Sequence, residues 1–179
     1  VTRVKTGVGE YLHALRLAGL SAGAVGDSGV QLERARPVGQ LPGFAQGESS
    51  VQDAAAQLAA PLLLDGLAAP DGQPLRVLDA CAAPGGKTAH LLEHAGQRPI
   101  EAAAHGGEAQ RSRRIDDTLA RLGLSARVVV ADASRPEQWW DNRPFDGVLL
   151  DAPCTASGIV RRHPDARWLR GEGDGAQLA

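Results

Sequence analysis

Three aspartates stand at or just after apolar runs that are short enough to be buried strands. These residues are Asp79, Asp132 and Asp151. Aspartate is disfavoured within strands, so its recurrence at three such ends needs a cause. Each of them taken alone could simply cap the turn that follows it. Together they favour a ligand that offers hydroxyl groups, amines or positive charge, because an anionic pyrophosphate would be repelled.

A loop of small residues surrounds the first of these aspartates and reads DACAAPGGKT over residues 79–88. Small residues let the backbone approach a ligand, and the start of the following helix offers free N–H groups to a carboxylate or phosphate. The ending Gly-Lys-Thr resembles a phosphate-binding Walker loop, but that motif needs glycine where Cys81 stands, and Pro84 stiffens the loop. The dinucleotide pattern G-x-G-x-x-G is also absent. These exclusions leave a nucleoside ligand with a carboxylate and a cationic centre, of which S-adenosylmethionine (SAM) is the common one.

A second loop, DAPCTASG over residues 151–158, carries Cys154. A cysteine beyond a strand end is more often a small buried hydrophobe than a reactive thiol, but this one follows the same predicted sheet edge as the first loop. The next residues hold one acid, Asp165, against four arginines: Arg161, Arg162, Arg167 and Arg170. This local excess of positive charge indicates either a solvated surface or a loop that contacts phosphates.

Strand-like and helix-like segments alternate along the middle of the chain. Apolar runs predict strands at 75–80, 99–104, 127–131 and 147–150, and helical spacing predicts helices at 85–94 and 108–122. Near-continuous apolar strands that alternate with helices predict a parallel sheet covered on both faces, in a Rossmann-like α/β fold. Ligands of such sheets bind beyond the carboxyl ends of the strands, where both loops are predicted to lie.

The front of the chain predicts a smaller α+β segment. It has strand patterns at 1–5 and 29–34 with a helix at 9–17 between them. A further helix is expected from Ser50, because Asp53 stands at capping-box spacing and four apolar residues follow at helical intervals: Val51, Ala55, Leu58 and Leu62. We therefore predict two domains, at 1–47 and 48–179.

Composition excludes several classes of protein. With 43% hydrophobic and 22% charged residues, the 179-residue chain is too apolar for disorder, and its net charge of −2 shows no overall basic field. Two cysteines without a C-x-x-C motif argue against a disulfide scaffold or a zinc ribbon. No apolar run approaches the roughly 20 residues of a membrane helix. We expect a cytoplasmic monomer that uses neither a metal nor a membrane.

The two loops resemble the RNA cytosine-5 methyltransferases of the Nop/Sun family, and most of all its bacterial members that act on 16S ribosomal RNA. The similar segments are DACAAPGGKT at 79–88, VVADA at 129–133, LLDAPCTASGIVRRHPDARWLR at 149–170 and, before them, GFAQGESSVQDAAAQ at 43–57. The resemblance covers most of the chain from Gly43 onward. It implies part of a class I SAM-dependent methyltransferase fold after a small RNA-binding type of module, with SAM as cofactor and ribosomal RNA as partner.

The resemblance also implies a role for each matching position. The residues that would bind SAM are Cys81, Ala82, Ala83, Pro84, Gly85, Gly86, Lys87, Asp132 and Asp151. Of these, Asp132 would reach the adenine side and Asp151 would face the junction of SAM and cytosine. Cys154 matches the family's Pro-Cys cysteine, whose thiol helps to release the product, while a cysteine in a later Thr-Cys-Ser segment attacks cytosine carbon 6. In DNA cytosine-5 methyltransferases the Pro-Cys thiol is itself the nucleophile, so Cys154 remains the alternative catalytic residue.

Two features depart from the family pattern. No Thr-Cys-Ser follows Arg170, and four strands are predicted where the family has seven, so we expect a truncated piece that is nearly inactive alone. The acid that usually binds the SAM ribose is replaced by Gly106, with Glu108 two residues later. The alternative hypothesis is that the chain is a non-catalytic fragment that binds RNA through the arginines at 161–170.

Overall fold

The computed structural model describes residues 2–5, 7–69, 73–106, 109–152, 164–165 and 168. Its first part is an antiparallel sheet in the order β2-β3-β1-β4. The elements are β1 (Thr2–Val4), α1 (Val8–Leu17), β2 (Ala22–Val25), β3 (Gly29–Leu32) and β4 (Ser49–Val51). Tyr11 and Leu15 on one face of α1 are buried with Val30 and Leu41 in a core of their own. The predicted small α+β segment is confirmed, although the sequence did not reveal β2 or β4. We call the described residues from Thr2 to Val51 the N-terminal module.

The helix predicted to begin at Ser50 is wrong in its first part. Ser50 lies in β4, where it pairs with β1, and the helix of this region is α2 (Ala59–Leu64). The side chains that helical spacing assigned to a buried face are all exposed: Val51, Ala55, Leu58 and Leu62. Pairing with β1 uses the backbone of residues 49–51, so tertiary contacts override the local capping signal.

The second part of the structure contains a four-stranded parallel sheet in the order β7-β6-β5-β8. Its elements are β5 (Leu75–Asp79), α3 (Gly86–Ala95), β6 (Ile100–Gly106), α4 (Ala109–Leu122), β7 (Arg127–Val130) and β8 (Gly147–Leu149). Each lies within two residues of its predicted bounds, because apolar runs and helical spacing are strong in this region. The predicted Rossmann-like α/β fold is confirmed.

The core of this sheet is built from two apolar clusters. One joins α2, β5 and α3 through residues such as Leu64, Val77 and Leu91. The other joins α3, β6 and α4 through residues that include Ala89 and Ile115. All five residues of β5 are buried, so this strand is the central support of the sheet. Within the described ranges, no helix has the length and apolar character needed to cross a bilayer.

Arg76 links β5 to the segment that leads into β8. Its side chain is only 7% exposed, and it donates to the carbonyls of Arg143 and Pro144. The same guanidinium contacts Asp141 at 2.8 Å and Glu101 at 3.4 Å. These contacts place the start of β8 beside the start of β5, at the edge of the sheet opposite to the carboxyl ends of the two strands.

Candidate functional site

Strands β5 and β8 bring the first predicted loop and the first two residues of the second, Asp151 and Ala152, to one edge of the sheet. Asp79 pairs with Leu149, and the backbone N–H of Ala80 donates to the Leu149 carbonyl at 2.9 Å. The Lys87 ammonium contacts the Asp151 carboxylate across the gap between the loops. The structure therefore places Asp79 and Asp151 at one edge of the sheet, as the strand ends predicted, and adds Lys87 to the cluster.

The turn that leads into α3 is held against α4. Gly85 has a φ of 100°, a conformation that side-chain-bearing residues rarely adopt. A Cβ atom at this position would lie 3.1 Å from the Cα of Ile115, and the Thr118 hydroxyl donates to the Pro84 carbonyl at 2.7 Å. A Cβ at Gly86, in contrast, would meet nothing within 4 Å. Open space therefore lies at the start of α3, where the first N–H groups of a helix have no acceptor within it.

The side chain of Asp79 is a buried carboxyl group, and one of its two oxygens accepts a hydrogen bond. Only 1% of the residue is exposed, and Oδ2 accepts a hydrogen bond from the Thr88 hydroxyl at 2.7 Å. Its other oxygen, Oδ1, is buried without a hydrogen-bond partner among the described residues. Burial raises the pKa of Asp79, and this effect outweighs the lowering by the Thr88 hydroxyl, the Cys81 backbone N–H and the Lys87 charge. The charge of Asp151 adds a smaller upward contribution. A ligand that donates a hydrogen bond or carries positive charge would satisfy this oxygen.

The raised pKa of Asp79 predicts a pH-dependent stability. Folded protein holds this proton more tightly than the unfolded chain, so ionisation costs folding free energy as the pH rises above about 4. Asparagine does not titrate. We expect the free energy of unfolding of wild type, minus that of Asp79→Asn, to fall with rising pH until Asp79 is ionised in the folded state. Urea unfolding at a series of pH values measures this difference.

Thr88→Val provides the second arm of that experiment. Valine removes the hydrogen bond that stabilises the ionised form of Asp79, so in comparison with Thr88→Val/Asp79→Asn the fall should extend to higher pH than in wild type. A difference between wild type and Asp79→Asn that rises with pH would contradict the assignment.

Cys81 has the properties of a packing residue. It is half-buried, forms no disulfide, and has a pKa raised by burial and further by the charges of Asp79 and Asp151. The thiol is therefore protonated at neutral pH, which makes it a weak nucleophile. The other cysteine, Cys154, lies outside the described residues. So do Glu108 and the four arginines of the second loop: Arg161, Arg162, Arg167 and Arg170.

Asp132 lies two residues after β7 and is separated from β5 by β6. The spacing of neighbouring strands puts it about 10 Å from the Asp79 cluster. Its carboxylate accepts hydrogen bonds from the backbone N–H and the hydroxyl of Ser134, at 2.9 and 2.7 Å. Asp132 thus caps its own turn, the local role that the sequence left open. About half of the side chain stays exposed, so it can still meet a ligand.

Gly106, which occupies the usual place of the ribose-binding acid, is the last residue of β6. Across the described ranges, no three His, Cys, Asp or Glu side chains converge as a metal-binding group. Sequence reasoning missed two residues that shape the site, Thr88 and Thr118. Thr118 has a detectable signal, because it is a polar residue beside Leu119 on the apolar face of α4.

Comparison with known proteins identifies a family for the chain. The family model described as 16S rRNA methyltransferase RsmB/F matches residues 66–179. Over 172 residues, the chain is 46% identical to ribosomal RNA small subunit methyltransferase B of Vibrio vulnificus and 51% identical to that of Pseudomonas syringae. These alignments cover 95% of the chain but only 38% and 37% of the relatives. The chain thus spans little more than a third of their length.

Two solved structures share the fold. A methyltransferase homologue protein from Pyrococcus horikoshii superposes with a TM-score of 0.73 at 27% identity, over 97% of this chain and 53% of that one. The structure of NSun6 from the same organism with SFG has a TM-score of 0.58 at 27% identity, over 72% of this chain and 33% of that one. Sequence and fold agree, and the chain belongs to the RsmB/F family of 16S rRNA methyltransferases.

Proposed function

We propose that the protein transfers a methyl group from SAM to carbon 5 of a cytosine in 16S ribosomal RNA, and that the edge formed by β5 and β8 binds SAM. The observation that carries this proposal is the cluster of Asp79, Lys87 and Asp151 beside the open start of α3. The family membership and the neighbour solved with SFG support it. The transfer itself belongs to the whole protein, of which this chain is a part.

The described residues fit SAM on three counts. The buried oxygen of Asp79 and the Asp151 carboxylate offer hydrogen-bond acceptors and negative charge to an amine and a sulfonium. The first N–H groups of α3, next to the open space at Gly86, suit a carboxylate. Asp132 stands about two strands away, which suits the adenosine end of an extended ligand. SAM, when bound, supplies an electrophilic methyl group.

Lys87 has a positioning role in this proposal. Its ammonium joins the small-residue turn to the end of β8, so it holds Asp151 beside the turn. The lysine also offsets part of the repulsion among the carboxyl groups of Asp79 and Asp151. Ala82 and Ala83 pack into the apolar cluster formed by α3, β6 and α4, and this packing fixes the turn at the edge of the sheet.

The methyl acceptor must be activated by a thiolate. Carbon 5 of cytosine becomes nucleophilic only when a thiolate adds to carbon 6, and elimination of the thiol after loss of the carbon 5 proton restores the ring. The base must also leave any stack to reach the pocket. The raised pKa of Cys81 argues against its taking this role. We assign the attack to the cysteine of the family's Thr-Cys-Ser segment and product release to Cys154, with attack by Cys154 as the alternative.

RNA that contains 5-fluorocytosine distinguishes these two cysteines, because fluorine at carbon 5 prevents the elimination and traps the adduct. Peptide mapping of the trapped whole protein should find the RNA on the Thr-Cys-Ser cysteine. An adduct on Cys154 would instead establish the alternative.

Asp151→Asn tests the cofactor site by calorimetric titration. The wild-type carboxylate attracts a sulfonium, which SAM has and the neutral thioether of S-adenosylhomocysteine lacks. We therefore expect the variant to bind SAM roughly two- to fivefold more weakly and to lose less affinity for S-adenosylhomocysteine, which keeps the amine but has no sulfonium. Asp117→Asn, an exposed change on α4, is the matched control. Absence of SAM binding to wild type at millimolar concentration would refute the proposed cofactor site.

A further inference from the structure

Helix α4 contacts both the N-terminal module and the turn before α3. The proposed mechanism so far gives these two parts no connection. We infer that α4 couples them, so that the N-terminal module sets the affinity for the methyl donor without touching it. Thr118 and Arg121 are the positioning residues of this coupling. The inference rests on the proposed function, because it assigns the turn at 81–87 to SAM.

The Arg121 side chain is the main link between α4 and the N-terminal module. Its guanidinium donates to the carbonyls of Phe44 and Ser49 at 2.6 and 3.0 Å, and to the Ser50 hydroxyl at 3.3 Å. The same group lies 4.1 Å from the centre of the Phe44 ring. The planar guanidinium forms several hydrogen bonds at once and so holds its partners in one geometry. A lysine at this position would not reproduce that geometry.

The backbone of α4 is held at the same end. Gly47 has a φ of 80°, and a Cβ atom on it would overlap the carbonyl oxygen of Arg121. The Lys5 ammonium donates to the carbonyl of Leu122 at 2.9 Å. The last carbonyls of a helix have no partner within it, so the N-terminal module completes this end of α4.

The opposite link begins three residues earlier on the helix. The Thr118 hydroxyl bonds the Pro84 carbonyl, and the backbone at Ile115 packs directly against Gly85. Thr118 and Arg121 are thus separated by about 4.5 Å along the helix axis. A single turn of α-helix is rigid, so a shift of the N-terminal module is transmitted through α4 to the loop at 81–87. Conversely, a ligand that fixes this loop acts back on the N-terminal module.

Calorimetric titration of S-adenosylhomocysteine into variants of the protein tests this coupling. We expect Thr118→Val and Arg121→Gln to bind roughly three- to tenfold more weakly than wild type, the size of effect that one lost hydrogen bond produces. Thr118→Ser keeps the hydroxyl and should rescue binding to within about twofold of wild type. Arg113→Gln, an exposed change on the same helix, is the control and should leave binding unchanged.

Hydrogen exchange gives a readout that a purely structural role would not move. Addition of S-adenosylhomocysteine should slow amide exchange at residues 43–51 in wild type and leave it unchanged in Thr118→Val. Protection confined to residues 80–88, or wild-type affinity in both Thr118→Val and Arg121→Gln, would overturn the coupling while the cofactor site stands. Absence of binding to wild type would overturn both proposals.

Discussion

Gly85→Ala is expected to destabilise the protein by about 2–4 kcal/mol and to weaken binding of S-adenosylhomocysteine more than tenfold. Two costs combine at this position. An alanine at a φ of 100° is strained, and its Cβ would lie 3.1 Å from the Cα of Ile115 and 3.2 Å from the Cβ of Thr118. These neighbours belong to α4, whose backbone cannot yield as a flexible side chain would. Relief of the contact therefore requires the turn to move away from α4.

Gly86→Ala is the matched control for this prediction. Gly86 is the first residue of α3, has no positive φ, and a Cβ on it would meet no atom within 4 Å. Alanine favours helix more than glycine does, so we expect stability to be unchanged or raised by up to about 1 kcal/mol. The methyl group would nevertheless enter the space assigned to the ligand, so binding should weaken in this variant as well.

Urea unfolding and calorimetric titration of both variants separate stability from binding. Gly85→Ala should show both a lower free energy of unfolding and weaker binding. Gly86→Ala should show weaker binding without a loss of stability. Full stability of Gly85→Ala would show that α4 does not hold the turn. Undiminished binding by Gly86→Ala would show that the ligand lies elsewhere.

Arg76→Met is expected to lower the free energy of unfolding by about 2–4 kcal/mol. Methionine retains much of the buried volume but donates no hydrogen bond. The change leaves the carbonyls of Arg143 and Pro144 without this donor and leaves Asp141 and Glu101 without their common counter-charge. Because Arg76 lies near the start of β5, away from the proposed SAM site, protein that remains folded should bind S-adenosylhomocysteine normally.

Arg143→Met is the corresponding control. Arg143 is 63% exposed, and its closest contact with Glu101 is 4.0 Å. An exposed ion pair of this kind contributes little, so we expect a change within about 0.5 kcal/mol by urea unfolding. Equal destabilisation by Arg76→Met and Arg143→Met would show that the buried guanidinium has no special role in joining β5 to β8.

Local sequence patterns predicted the parallel sheet and the turn between β5 and α3. Continuous apolar runs marked β5, β7 and β8, and helical spacing marked α3 and α4, because burial against a sheet imposes these local patterns. The DACAAPGGKT loop, together with the segment that begins at residue 149, identified the family, which the comparisons confirm. The convergence of Asp79 and Asp151 also followed, since neighbouring parallel strands end at one edge.

The pairing of residues that lie far apart in the chain is visible only in the folded structure. Ser50 carries a good helix-capping signal, yet it lies in a strand because β1 pairs with it from nearly fifty residues away. The local sequence around Lys87 resembles the end of a phosphate-binding loop, whereas the fold places its ammonium against Asp151. Nothing in the sequence around Arg121 predicts its hydrogen-bond partners. These partners, at 44–50, become its neighbours only when α4 packs beside the N-terminal module. Local patterns report burial and backbone preference, whereas contacts between distant segments depend on the folded arrangement of the whole chain.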